Sequence, residues 1–374
     1  MEYKMGVIGI GHWFKRLQGG LDAVGGIKVT KALGTKPYAA KADSLRELGI
    51  TPESYYTIGA DGTIPEGFFE DIEIVHLSNP PDFHASQEVQ SLSKGKRTIV
   101  EKSYGVNKKE FDSFRKFVKE GGYTNSIYLH LHYLHKMPSL ILRRSIKELS
   151  AKHGKIISIT GTFFEQADEE DTRRAAWLLD MKSGGLFMDW VHPFEVAYYA
   201  TGVYFGKISK ISLYTINQSY SGTNPSGIMV ELGLKGKRAA DGAVMTVNIA
   251  KGVDPKYAKK SMLFKFEDGS YARLGFLRSD AESRENRGVF ETGRISDGSR
   301  TAESVSTTTG RASSEFFVKD IIKLSNGKKA GLSMSQVAKV FRPQWEYQKL
   351  APKQQLIRDK TEIESFLQKG LSDS

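Results

Sequence analysis

The 374 residues, 39% hydrophobic and 26% charged, suit a globular chain of about two to three domains and exclude a disordered, collagenous or fibrous one. The absence of cysteine excludes disulfides, thiolate nucleophiles and sulfur-ligated zinc. The charge of +11 is spread over separated doublets such as Lys108-Lys109, Arg143-Arg144, Lys259-Lys260 and Lys328-Lys329, which favours a solvated surface and anionic small molecules over a nucleic-acid stripe.

No stretch reaches the roughly eighteen uninterrupted apolar residues of a membrane helix. Met1-Glu2-Tyr3-Lys4 runs straight into a strand-like segment without a signal-peptide pattern. The expectation is a cytoplasmic protein with neither membrane nor nucleic acid as partner.

In chain order, apolar runs at 5–10, 27–33, 72–77 and 98–100 alternate with helix-length segments at 39–48, 83–92 and 108–118. This β-α-β-α rhythm predicts a parallel sheet covered on both faces. Residues 128–134 read as a further strand, and 138–149 as a helix with Pro138 in its first turn. Beyond Gly154 the runs at 156–164, 208–217, 227–234, 243–250, 262–267 and 271–277, separated by Gly, Asp, Asn and Lys turns, predict a large, mostly antiparallel sheet. Helices are expected at 172–181, 193–200, 316–323 and 334–341, a long loop at 279–314, and helical pattern near 363–367 in the tail. The fold class is thus α/β plus α+β, with domains at 1–136 and 137–374 and no internal repeat.

Gly6-Val7-Ile8-Gly9-Ile10-Gly11-His12-Trp13-Phe14 follows the first strand and opens the first helix, where a dinucleotide pyrophosphate docks in a Rossmann fold. Gly9 permits the tight turn and Gly11 a close backbone approach, so Gly9, Ile10, Gly11, His12 and Trp13 are candidate cofactor contacts. Phe14 stands at the third fingerprint position, usually small. After the second strand comes Gly34-Thr35-Lys36, with no acid to receive ribose hydroxyls. A hydroxyl and a cation there suit a 2′-phosphate, hence NADP over NAD; an ordinary turn before Pro37 is the plainer alternative.

The fourth strand continues into Ser78-Asn79-Pro80-Pro81-Asp82-Phe83-His84, and the fifth ends in Glu101-Lys102-Ser103. Both end at the carboxyl edge of the sheet, where ligands bind in doubly wound folds. A lysine there orients a substrate hydroxyl or helps move its proton; standing alone, Lys102 is more simply a surface lysine beside Glu101. Further on, Asp189 and His192 are three apart and share a face in a helix, a carboxylate–imidazole pair suited to proton exchange or to a structural role.

Together these residues resemble the Gfo/Idh/MocA family of glucose-fructose oxidoreductases, inositol dehydrogenases and rhizopine-catabolism proteins, across most of the chain. The resemblance implies an N-terminal Rossmann domain, a C-terminal α+β domain with an oligomerising open sheet (a homodimer or homotetramer), and NAD(P)-dependent hydride transfer on a sugar, sugar acid or polyol. It maps the family's catalytic lysine to Lys102 and its substrate-site Asp and His to Asp189 and His192. Ser78, Asn79, Pro80, His84 and Glu101 join Thr35, Lys36 and Lys102 as cofactor contacts. Three positions depart from the family pattern: Ser103 replaces proline, Phe14 replaces a small residue, and Asp189 is one residue nearer His192.

His130, His132 and His135 invite a metal site, but no acidic ligand accompanies them, and no metal is expected. This segment is expected to line the substrate cleft, with His135 or Lys136 near where the resembled family often has an arginine, and His135 as a substrate contact. Trp177, Trp190 and Tyr133 suit either sugar stacking or the core, and Arg173 and Arg174 either an acidic group or solvent. Two other readings remain at this level: a redox-neutral relative that recycles a bound cofactor, and a non-catalytic nucleotide sensor or scaffold.

Overall fold

The computed structural model describes residues 2–59, 61–79, 83–102, 104, 107–166, 186–217, 224–276, 286–296, 299–309 and 313–372. The chain divides into two compact units, Met1–His132 with Arg311–Gln336, and Tyr133–Gly310 with Val337–Ser374.

In the first unit, strands β1 (Tyr3–Ile8), β2 (Ile27–Gly34), β3 (Tyr55–Thr57), β4 (Ile74–Leu77), β5 (Arg97–Glu101) and β6 (Ile127–His130) form a parallel sheet in the order β3-β2-β1-β4-β5-β6. Strand order reverses between β1 and β4, which makes the carboxyl ends of these two strands the topological switch point. Met5, Val7, Ile74, Val75, Ile99 and Val100 are buried; strands covered on both faces read as continuous apolar runs for that reason. Helices α1 (His12–Val24), α2 (Ala42–Glu47), α3 (Glu66–Phe69), α4 (His84–Ser93) and α5 (Lys108–Glu120) join them. Phe14, Leu17 and Leu21 of α1 lie in the same core as Met5 and Val7, so the large third fingerprint residue serves as packing. Asn107 caps α5 by accepting the Glu110 backbone N–H at 3.0 Å.

The second unit carries β7 (Ile156–Gln166), β8 (Tyr204–Tyr214), β9 (Gly227–Lys235), β10 (Ala239–Val253), β11 (Lys259–Phe266), β12 (Ser270–Phe276), β13 (Asn286–Ser296), β14 (Ser299–Thr309) and β15 (Leu356–Ile357). They form one sheet, β14-β13-β12-β11-β7-β10-β9-β8-β15, antiparallel except for the β7/β10 and β8/β15 pairs. Helices α6 (Met137–His153) and α7 (Phe187–Thr201) pack on one face of it. A Cβ at Gly161 on β7 would stand 2.9 Å from Pro193, so glycine there is what lets α7 lie close against the strand.

Helix α8 (Ser313–Ser325) buries Phe317, Val318, Ile321 and Leu324 in the core of the first unit. Helix α9 (Met334–Leu350) follows, and α10 (Lys360–Ser372) packs Phe366 on Tyr214 and Phe164 in the second unit. No helix of the described residues is long and apolar enough to cross a membrane.

Several expectations change. The 137–374 domain is interrupted, because 311–336 belongs to the first unit; its apolar stripe fits a core more than 180 residues away in sequence, which local pattern does not reveal. The expected loop at 279–314 contains the β13/β14 hairpin, paired to β12 from Ser270↔Arg294 to Phe276↔Gly288. Thr and Ser become strand residues when such a partner is present. The strand expected over 128–134 stops at His130 and gives way to a 3-10 turn at His132–His135, so His130 and His132 are not alternate residues of one strand. The short β3 had no sequence signal, and the helix expected at 172–181 lies outside the described residues.

Candidate functional site

The turn after β1 is closed by Gly9, whose N–H donates to Leu33 O at 2.9 Å. Its φ is +89°, and a Cβ there would meet Asn79 N at 2.7 Å, so two independent constraints select glycine. Gly11 is the extended N-cap of α1, and a Cβ on it would meet nothing within 4 Å. That open space before the exposed N–H groups of a helix fits a dinucleotide pyrophosphate. His12 and Trp13 occupy the first turn of α1, their side chains outside the described residues. Ile10 is buried in the core, so its backbone rather than its side chain is what it presents. Lys41, which sequence reading passed over, donates its ammonium to Ile10 O at 3.1 Å; only the fold brings this residue, thirty positions downstream, onto the glycine turn.

Thr35 and Lys36 are exposed beyond the end of β2. The Tyr55 hydroxyl donates to the Lys36 carbonyl, which holds the backbone of this turn. At the end of β4, Ser78 N–H donates to Ile8 O at 2.9 Å and its hydroxyl to Gly9 O. Asn79 Nδ2 donates to Gln87 Oε1 at 2.9 Å, and His84 Nε2 to Asn79 O at 2.8 Å. Ser78, Asn79 and His84 therefore sew the end of β4 onto the glycine turn and α4. Among the described residues Asn79 Oδ1 is buried without a hydrogen-bond partner, a second feature that fits a polar ligand at this edge. Pro80 lies outside the described residues.

At the end of β5, Lys102 is buried to 8% exposure. The preceding Glu101 accepts His130 Nδ1–H at 2.6 Å and lies 3.4 Å from His76 Nε2. Burial alone would raise its carboxyl, but the two imidazoles outweigh that and hold it below the usual carboxylate range. Its carboxylate, expected to contact cofactor, is thus engaged with protein side chains.

In the second unit, His192 sits on α7 at 2% exposure with its ring 4.3 Å from that of Tyr133. Its Nδ1 lies 3.4 Å from Oε1 of Glu195, one turn later on the helix, and the same oxygen accepts the Tyr133 backbone N–H at 3.0 Å. Glu195 is fully buried, and among the described residues its Oε2 has no partner. Sequence reading missed Glu195, although its three-residue spacing from His192 carried the same signal as Asp189. Asp189 is one turn before His192 on α7, with its side chain outside the described residues, as is that of Trp190; Arg173, Arg174 and Trp177 are outside altogether. Pro193 provides no N–H for the Asp189 carbonyl in α7. His135 is buried in the 3-10 turn that also holds Tyr133. An imidazole beside a buried carboxylate suits either proton exchange or a structural role.

No family model and no curated protein matches the sequence. Solved structures do. Aldose-aldose oxidoreductase from Caulobacter crescentus, complexed with glycerol, is 12% identical with a TM-score of 0.73, covering 94% of this chain and 98% of its own. Levoglucosan dehydrogenase, in complex with NADH and L-sorbose, is 16% identical with a TM-score of 0.73 over 95% and 98%. Myo-inositol 2-dehydrogenase from Lactobacillus plantarum is 17% identical with a TM-score of 0.71 over 95% and 98%. At these identities the likeness is one of fold: the chain has the fold of the Gfo/Idh/MocA-type sugar oxidoreductases.

Proposed function

We propose that this protein is an NAD(P)-dependent oxidoreductase acting on a CH–OH group, or the corresponding ketone, of a sugar, sugar acid or polyol, with NADP as the favoured cofactor. The observation that carries this reading is the glycine turn at the switch point, with open space over Gly11, the unpartnered Asn79 Oδ1 and Lys102 at the same sheet edge. The fold likeness to levoglucosan dehydrogenase, whose structure holds NADH and a sugar, supports it.

The bound nicotinamide supplies the hydride acceptor or donor. Gly9, Ile10, Gly11, His12 and Trp13 hold the pyrophosphate through backbone groups, with Lys41 adding a positive charge beside the turn. Thr35 and Lys36 receive the 2′-phosphate, and Ser78, Asn79 and His84 shape the nicotinamide end. Lys102 hydrogen-bonds the reacting oxygen. His192, with Asp189 ahead of it and Glu195 behind it on the helix, takes up or returns the proton, and His135 contacts substrate.

Fluorescence titration with NADPH and NADH tests the reading. Tighter NADPH binding is expected; preference for NADH overturns the phosphate assignment, and binding of neither overturns the cofactor site. Lys102→Met should retain cofactor binding and lose turnover of any sugar or polyol the wild type converts.

A further inference from the structure

Asn79, just past the end of β4, is held from three sides. A Cβ on Gly9 would stand 2.7 Å from its backbone N and 2.9 Å from its Cα and Cβ, so its backbone fills the space that the glycine leaves. Its carbonyl accepts His84 Nε2–H at 2.8 Å, and its Nδ2 donates to Gln87 Oε1 at 2.9 Å. His84 and Gln87 are three apart on α4 and share its buried face. Helical side chains lean toward the helix N-terminus, so Gln87 reaches back to the strand end. Gln87 is fully buried, and the proposed chemistry does not use it.

The pairing of these two amides is incomplete. Among the described residues, Asn79 Oδ1 and Gln87 Nε2 are buried without hydrogen-bond partners. One is an acceptor and the other a donor. Exchanging O and N in both amides leaves the same inventory, one acceptor and one donor. Buried amide groups left unpaired are costly, and a residue clamped on three sides is not free to turn them to water. Asn79 as a whole is half-buried, at the boundary between the packing under α4 and the strand ends where ligands bind in this fold class.

Neither side chain carries a charge, which suits a neutral ligand group over a phosphate. A carboxamide is neutral and planar, and offers an N–H donor and a C=O acceptor together. The nicotinamide ring carries one.

We propose that Asn79 receives the carboxamide of the nicotinamide, its Oδ1 accepting the carboxamide N–H, and that Gln87 is the positioning residue that presents the Asn79 amide to it. The inference rests on the cofactor reading above. It gives Asn79 a stated partner there and Gln87 a role.

Calorimetric titration with three nucleotides tests it without any substrate. These are the dinucleotide that the protein prefers, NADP+ or NAD+; its acetylpyridine analogue, which keeps the C=O but lacks the N–H; and the fragment without nicotinamide riboside, adenosine 2′,5′-bisphosphate or ADP. Wild type should bind the dinucleotide roughly three- to ten-fold more tightly than the analogue. In Asn79→Ala, and in Gln87→Met, which is uncharged and of similar length, this ratio should fall toward one while the fragment binds as it does to wild type.

The wild-type ratio is independent of how the variants fold. Equal wild-type constants for dinucleotide and analogue, or a ratio unchanged in both variants, overturns the inference while the cofactor site stands. Equal wild-type constants with both dinucleotides weakened in Asn79→Ala assigns the residue to a ribose hydroxyl instead. A fragment weakened as much as the dinucleotide in Gln87→Met overturns the positioning role. Failure of wild type to bind either dinucleotide overturns the cofactor reading, and this inference with it.

Discussion

Glu195 turns one carboxylate oxygen toward two groups at once, accepting the Tyr133 backbone N–H at 3.0 Å and lying 3.4 Å from Nδ1 of His192. The backbone N–H fixes the carboxylate, and the carboxylate favours the His192 tautomer that carries hydrogen on Nδ1. The imidazole is oriented by an acid that follows it on the helix.

Glu195→Gln should therefore reduce turnover at least about ten-fold while leaving NADPH affinity unchanged. Glu195→Ala, which leaves the Tyr133 N–H buried without its acceptor, should in addition cost about 1–3 kcal/mol of stability. Steady-state kinetics, cofactor titration and denaturant unfolding separate these effects. Equal turnover in wild type and Glu195→Gln would remove the orienting role.

The two glycines of the turn should respond differently to alanine. Gly9→Ala places a Cβ 2.7 Å from the Asn79 backbone at a φ of +89°, and a loss of about 2 kcal/mol or more is expected. Gly11→Ala meets no atom of the described residues within 4 Å, so stability should stay within about 0.5 kcal/mol while NADPH affinity falls at least about ten-fold. Thermal unfolding and fluorescence titration check the pair; unchanged affinity in Gly11→Ala would count against the pyrophosphate cradle.

Lys36 is exposed beside the end of β2, so its removal has little structural consequence. Lys36→Ala should weaken NADPH about ten-fold and leave NADH unchanged. Equal weakening of both nucleotides would point to the pyrophosphate instead of the 2′-phosphate.

Glu88 on α4 is fully buried, and among the described residues neither carboxylate oxygen has a hydrogen-bond partner. Burial, aided by the charge of Glu110, pushes its carboxyl well above the usual range. The folded state therefore retains a proton that the unfolded chain gives up above about pH 4.5. This contribution is most favourable below that pH and declines as pH rises toward the folded-state value. Glu88→Met, apolar and of similar length, should raise stability by about 1–3 kcal/mol at neutral pH and flatten that decline. Urea unfolding at about pH 5 and about pH 8 measures both; an equal stability change at the two values would show that Glu88 ionisation is not the cause.

The parallel sheet was legible because residues such as Val7, Val75 and Ile99 are buried between two layers and need no polar alternation. The glycine turn was legible for a similarly local reason, since Gly9 answers to backbone angle and to the close approach of Asn79. Lys102 was legible as the end of a strand whose edge the fold class already designates for ligands.

The sequence by itself thus determined the layered architecture, the turn chemistry and which segments end at the carboxyl edge of the parallel sheet, since each depends on interactions within a few residues. Tertiary structure alone decided the rest. The choice of Glu195 as the partner of His192 depends on how α7 is rotated against the segment that supplies the Tyr133 N–H. The commitment of Glu101 to His76 and His130 depends on the pairing of β4, β5 and β6, and the return of α8 to the first unit on an apolar stripe meeting a core far away in sequence. These contacts join residues from 25 to about three hundred positions apart, and such partners become known only when strand order and helix packing bring them together.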